Sequence, residues 1–249
     1  MDKAIFVTGG TIGSGLAVAE RFAKEGYNVV ITSRNGERAE NAAKSIAAKY
    51  KVRAYGYALD IRDEQRVKDI FCDIDNNKLF VETVCLNSAD MGFGSDPAKG
   101  MPMFECSIEE FQRVFETNLV WNFMIIRQAA IRMREHHRGA IVFISSNTAY
   151  RAIPNRVAYS TSKGGINAFT KARGKELAPS NISVNAISCG VIDTAMNSCF
   201  DEEERQCLAD EIPAGRFGKA DEVASLSFSL ANESSYLTSQ VITLDGGWQ

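Results

Sequence analysis

The chain has 249 residues, 45% of them hydrophobic and 24% charged, with 28 basic against 31 acidic side chains and a formal charge of −3. This balance, without a basic run, argues against a nucleic-acid partner, and the composition is that of a soluble globular chain able to bury a large core. The longest strongly apolar stretch, Leu119 to Ile126, contains Asn122 and is too short to span a bilayer; an apolar strand begins after three residues, so no signal peptide is expected.

Short apolar runs alternate with helical patterns from end to end. A strand over 3–8 runs into Thr8-Gly9-Gly10-Thr11-Ile12-Gly13-Ser14-Gly15, and a helix over 13–25 follows. Glycines there permit a tight turn and close backbone approach, and the helix N-terminus offers N–H groups to a pyrophosphate. A second strand, 27–32, leads into Ser33-Arg34-Asn35 and a helix over 36–50. An acid at this point would hold ribose hydroxyls, whereas arginine suits a 2′-phosphate, so Arg34 favours NADP(H), with NAD(H) also open. After a third strand, 52–58, Asp60 is placed either to accept from an adenine amino group or to cap the helix over 62–75. Asn87, after a fourth strand over 81–86, either ties strand ends together or faces the cofactor.

Ser107 and Glu110 predict a capping box opening one long helix over 107–137. A fifth strand, 140–145, is followed by a helix over 155–178, a sixth strand over 182–188, helices over 201–210 and 220–231, and a last strand over 240–244. Strand–helix alternation with short links implies an α/β fold with parallel strands and helices on both faces, in a single domain over 1–249. Six cysteines, at 72, 85, 106, 189, 199 and 207, show no metal-like spacing and are expected to be reduced, buried thiols in a cytoplasmic protein without a metal site.

Tyr159 and Lys163 lie four residues apart on the helix over 155–178, so both leave one face. An ammonium beside a phenol favours phenolate and is expected to lower the tyrosine's pKa, as a carbonyl reductase requires of its acid.

Together these motifs resemble the short-chain dehydrogenase/reductase family over nearly the whole chain. The family's T-G-x-x-x-G-x-G matches Thr8, Gly9, Gly13 and Gly15; its Y-x-x-x-K matches Tyr159 and Lys163, and its serine thirteen residues upstream matches Ser146 rather than Ser145. Its helix asparagine matches Asn118, and the segment from Val184 through Gly190 to Thr194 looks like the nicotinamide loop. The resemblance implies a Rossmann-type, doubly wound, seven-stranded parallel sheet in three αβα layers. It also implies Tyr159 as acid and base, Lys163 as its tuner and ribose ligand, Ser146 as donor to the substrate oxygen, and Asn118 as holder of a relay water. Cofactor contacts implied are Gly9, Thr11, Ile12, Gly13, Gly15, Arg34, Asn35, Asp60, Ile61, Asn87, Ala89, Tyr159, Lys163, Gly190, Ile192 and Thr194. Three positions depart from the family: Asp90 stands where N-N-A-G would end, altering the local backbone; Cys189 replaces the proline of P-G, leaving that loop less rigid; and Ile12 stands where many NADP-preferring members carry a basic residue, so the NADP(H) preference rests on Arg34 alone.

The overall pattern is most similar to 3-oxoacyl-thioester reductases, with hydroxysteroid dehydrogenases also in view. Those reductases engage acyl carrier protein through basic residues beside the active-site entrance, where this chain aligns His137 and Ser180, with Arg138 adjacent. Met91, Phe93, Met101, Pro102, Met103 and Phe104 populate a long connection that either forms an adaptable lid over a bulky apolar carbonyl or alcohol, or anchors the loop to the core. The alternative function is an NADP(H)-binding sensor or scaffold without turnover. Trp121, Phe123, Met124, Ile125 and Ile126 suit a helix with an inward and an intersubunit face, and the resemblance implies a homotetramer or homodimer.

Overall fold

The computed structural model describes residues 1–248 except 93–99, 152, 198, 199 and 234. In chain order the elements are β1 (Asp2–Thr8), α1 (Gly13–Lys24), β2 (Asn28–Ser33), α2 (Gly36–Tyr50), β3 (Ala54–Ala58), α3 (Glu64–Asn76), β4 (Leu79–Leu86), α4 (Ile108–Phe115), α5 (Asn122–Glu135), β5 (Gly139–Ser146), α6 (Val157–Leu177), β6 (Ile182–Cys189), α7 (Glu202–Glu211), α8 (Ala220–Asn232) and β7 (Val241–Leu244). The strands form one parallel sheet in the order β3-β2-β1-β4-β5-β6-β7, the expected doubly wound arrangement.

Parallel strands covered on both faces read as continuous apolar runs, and β4 and β6 are buried along their whole length. On one face Val67, Ile70, Phe71 and Ile74 of α3, Ile125, Ile126, Ala129 and Met133 of α5, and Ile166 of α6 pack against β1, β4, β5 and β6. On the other, Val18, Ala19 and Phe22 of α1, Ala43 and Ile46 of α2 and Ala224 of α8 cover Ile5, Val7, Val29 and Ile31. Phe6 of β1 stacks on Phe71 at 5.3 Å between centroids, both fully buried. Truncating such a ring costs roughly 3–5 kcal/mol through lost transfer energy and the cavity left behind.

The long helix expected over 107–137 is broken. Residues Glu116–Val120 form a π-helical turn between α4 and α5, with Trp121 N donating to Glu116 O at 3.1 Å. Ser107 caps α4 by accepting from Glu110 N at 3.1 Å, but the Glu110 carboxylate turns to Arg113, so the reciprocal half of the box is not made. Cys85 and Cys189 are buried, but Cys72 and Cys207 are exposed, contrary to the expectation of uniformly buried thiols; Cys199 lies outside the described residues. Among the described residues no helix is long and apolar enough to cross a membrane.

Strand order reverses between β1 and β4, each the start of a different half of the sheet. The carboxyl ends of the strands on either side of such a switch point open a crevice, and the predicted site residues gather there.

Candidate active site

The crevice begins at the turn after β1. Gly9 and Gly13 have φ of +63° and +56°, where a side chain would be strained, and Ile12 precedes α1 without a side-chain cap. By contrast α2, α3 and α4 are capped by Asn35, Asp63 and Ser107. The first N–H groups of α1 are therefore left for an anion arriving from the crevice. A Cβ on Gly15 would overlap Gly9 O and lie 2.6 Å from Asn87 Nδ2. Across the groove, a Cβ on Gly13 would touch Thr194 at 3.3 Å, so the glycine turn and the loop after β6 form two facing walls. These features fit a dinucleotide pyrophosphate.

Asn87 ties β4 to the turn: its N–H donates to Thr8 Oγ1 at 3.0 Å and its Nδ2 to Gly9 O at 3.3 Å. Asn35 accepts from Arg38 N at 2.9 Å. Thr11, Asn35 and Arg38 line a surface cavity of about 480 Å³ beside α2. Arg34 is exposed beyond β2, and its charge, behind Arg62, helps hold Asp60 low at about 2. Asp60 is not the helix cap: Asp63 takes that role, and the Asp60 carboxylate receives Arg62 Nη2 at 2.6 Å. The side chain of Ile61 packs on the core.

The four predicted catalytic residues converge at the ends of β5 and α6 and at the π turn, and all are buried. Ser145 Oγ donates to Asn167 Oδ1 at 2.7 Å and to Lys163 O, which fastens α6 to β5. Ser146 instead accepts from Thr148 N at 3.2 Å and Thr148 Oγ1 at 3.0 Å, leaving its own proton to donate. Lys163, 2% exposed, donates to Ile144 O at 2.7 Å. Its Nζ lies 5.4 Å from the Tyr159 ring centroid.

Electrostatics overturn the expectation drawn from that pair. Burial pushes the Tyr159 phenol up to about 12, against the lowering pull of a Ser146 hydrogen bond and, more weakly, the charge of Arg156. Burial likewise brings Lys163 down to about 8. The i, i+4 spacing places the two side chains together, but the ammonium is tethered to β5 and both groups are stripped of water, so desolvation governs both.

Asn118 is fully buried: its Nδ2 donates to Asp90 O at 2.7 Å and Ser162 Oγ at 2.9 Å, and its Oδ1 accepts from Asp90 N at 2.7 Å. Asp90 is accommodated without strain, since it is absent from the positive-φ positions, where Gly92 (φ +59°) appears instead. Its carboxylate accepts from Gly92 N at 3.0 Å and pairs with Arg113 of α4. Cys189 extends β6 opposite Ser146, and burial pushes its thiol up to about 12.

A family model described as enoyl-(acyl carrier protein) reductase matches residues 10–249. A 3-oxoacyl-[acyl-carrier-protein] reductase FabG of Aquifex aeolicus is 36% identical over 98% of this chain and 96% of its own length. The chain belongs to the short-chain dehydrogenase/reductase family. The reductase MabA of Mycobacterium tuberculosis is 32% identical over 99% of this chain and 93% of its own. Among solved structures, a putative gluconate dehydrogenase from Agrobacterium tumefaciens superposes with a TM-score of 0.91 at 32% identity, covering 99% of this chain and 95% of that one. YwfH, an NADPH-dependent reductase involved in bacilysin biosynthesis, superposes at 0.89 and 27% identity over 100% and 99%.

As a member of this family the protein is an oxidoreductase of CH–OH and keto groups that uses a nicotinamide cofactor. The loop after β6 is held at two points: Gly190 N donates to Leu244 O at 3.0 Å, and Ile192 is buried and bridges to Gly218. Thr194 ends this loop, and Ala89, partly buried after β4, stands on the opposite wall. Two expectations about substrate access change. His137 and Arg138 precede β5 and Ser180 precedes β6, whereas Ser146 ends β5. Eight residues of strand at about 3.3 Å each separate them from the site within this subunit. Arg138 is moreover paired with Glu82 at 2.7 Å. Of the long connection, Phe93 and the rest of 93–99 lie outside the described residues; Met103 and Phe104 are exposed, so they do not anchor the loop to the core. Sequence reasoning missed Arg38, whose only signal was its place one helical turn after Arg34, and the Asp90–Arg113 pair, which has no local signal.

Proposed function

We propose that this protein is an NADP(H)-dependent reductase of a 3-oxoacyl thioester or similar apolar ketone, with Tyr159 as acid in reduction and base in oxidation. The observation that carries the reading is the Ser146–Tyr159–Lys163 cluster at the carboxyl edge, facing a glycine turn shaped for pyrophosphate. The substrate class is supported by the Aquifex and Mycobacterium relatives, both 3-oxoacyl-[acyl-carrier-protein] reductases by name. When bound, the cofactor would supply the hydride, and Lys163 and Tyr159 are the residues that would hold its ribose.

The chain's own residues do the remainder. The crevice orients the carbonyl; Ser146, with both acceptor positions filled by Thr148, donates to its oxygen, and Tyr159 gives the same oxygen its proton. A phenol held up by burial is the protonated acid a reduction needs at the outset. Arg34, with Arg38 at the rim of the cavity beside Asn35, favours the 2′-phosphate cofactor. The sensor-or-scaffold alternative lacks support, since a binder needs no buried acid and lysine. Exposed Val120, Phe123 and Ile131 on the outer side of the π turn and α5 support assembly into a dimer or tetramer, and a soluble, cytoplasmic single-domain enzyme fits the rest.

The test is NADPH oxidation followed by absorbance with acetoacetyl thioesters, oxosteroids and small ketones. Thioester turnover, lost by orders of magnitude in Tyr159→Phe while NADPH still binds, supports the reading; unaffected turnover in that variant refutes it.

A further inference from the structure

The π turn leaves a polar residue with no evident task. Asn122, the first residue of α5, is 2% exposed. Its Nδ2 donates to the main-chain oxygen of Asn118 at 2.7 Å, inside the turn. Its Oδ1 is buried and has no hydrogen-bond partner among the described residues. An orphaned buried acceptor costs roughly 1–3 kcal/mol, and the general remedy in protein interiors is an ordered internal water. π turns are themselves costly insertions that tend to persist at functional sites.

The neighbourhood says what such a water would do. Asn118 is bonded to Ser162, the residue before Lys163. Lys163 carries three N–H donors and gives one to Ile144 O, with no second partner among the described residues. Tyr159 and Lys163 are 8% and 2% exposed, so bulk solvent does not reach them freely. If Tyr159 delivers a proton at each turnover, the phenolate has to be re-protonated from inside the protein. Lys163 is the nearest store, and a lysine whose proton affinity burial has reduced releases it readily. Lysine then needs a route by which to recover a proton.

We propose that Asn122 is a positioning residue for that route: it steadies the Asn118 carbonyl with its amide and, with its own carbonyl, retains the internal water that returns protons to Lys163. This rests on the reading of Tyr159 as the acid. The proton balance is closed: one proton leaves Tyr159 for the substrate oxygen, one passes from Lys163 to the phenolate, and one from solvent reaches Lys163 through the water.

Asn122→Leu and Asn122→Ser separate the proposal from a structural role. Leucine has similar volume and removes both the unsatisfied acceptor and the donor to Asn118 O, so a purely structural role predicts a shift in thermal stability with turnover unchanged. The proposal predicts unchanged NADPH affinity by fluorescence titration, kcat down by about tenfold or more, and a larger solvent deuterium isotope effect on kcat. Serine can back-bond to the Asn118 carbonyl from i to i−4 and still accept from water, so it should recover kcat to within about threefold of wild type. Wild-type kcat and isotope effect in Asn122→Leu would overturn the proposal. So would equal losses in the serine and leucine variants. If neither variant folds, a high-resolution crystal structure of the wild type decides it: a water on Asn122 Oδ1 supports the route, and a dry Oδ1 removes it. Tyr159→Phe, run in parallel, tells the two failures apart, because retained turnover there defeats the reductase reading itself.

Discussion

Lys163 is costly to the folded protein, and replacing it should stabilise the cofactor-free state while ending catalysis. Its proton affinity falls from the usual 10.5 to about 8 because burial penalises the ammonium. At about 1.4 kcal/mol per tenfold change, that gap is worth roughly 3 kcal/mol below pH 8, where the unfolded chain keeps a solvated ammonium. Lys163→Met removes the charge and keeps a flexible side chain of comparable length. It also takes away the donor to Ile144 O, at a cost of about 1 kcal/mol. The net is a gain of about 2 kcal/mol near pH 7, or a Tm higher by roughly 4–8 °C for a chain of this size. Between about pH 8 and 10.5 the unfolded chain binds more protons at this site than the folded one, so wild-type stability rises with pH and the gap should close. Tyr159, raised from 10.0 to about 12, holds protons more tightly when folded; its contribution is lost only above pH 10 and does not intrude. Thermal unfolding of both proteins without cofactor, at about pH 7 and about pH 9.5 and equal ionic strength, reads the effect. A variant melting at or below wild type near neutrality, or a gap that fails to narrow, refutes the assignment of a strained buried ammonium.

Gly15→Ala should abolish NADPH binding by fluorescence titration while the fold survives in circular dichroism, because the added methyl overlaps Gly9 O, which shapes the phosphate turn. Arg34→Ala combined with Arg38→Ala should lower kcat/KM for NADPH by about tenfold or more and leave NADH nearly unchanged; equal losses for both cofactors would place the 2′-phosphate elsewhere. Arg113→Ala strips Asp90 of its cation; since Asp90 holds Asn118 through its main chain, a modest loss of kcat with KM little changed is expected from steady-state kinetics, and full activity would show that the Gly92 cap alone suffices.

What the sequence disclosed follows the range of the interactions involved. Apolar runs and glycine punctuation are local, and every strand and most helices fall within two or three residues of their predicted spans. The catalytic residues were legible because their spacing is local too: Tyr159 and Lys163 share a helix face, and Ser146 ends the strand before it. The π turn escaped because one extra residue shifts the phase of a helix by about 100° without disturbing its composition, and Asn118 and Asn122 look like ordinary polar interruptions of an apolar helix. Asp90 looked like a defect because its partner Arg113 is 23 residues away and meets it only after α4 docks. The tuning of Tyr159 was misjudged for the same reason. Helical spacing reports that two groups are neighbours, whereas a pKa depends on how much water each has lost, and that loss is decided by β5, the loop after β6 and the π turn together. The site therefore holds an uncharged phenol and a reluctant ammonium, a combination suited to starting a reduction with the proton already in place.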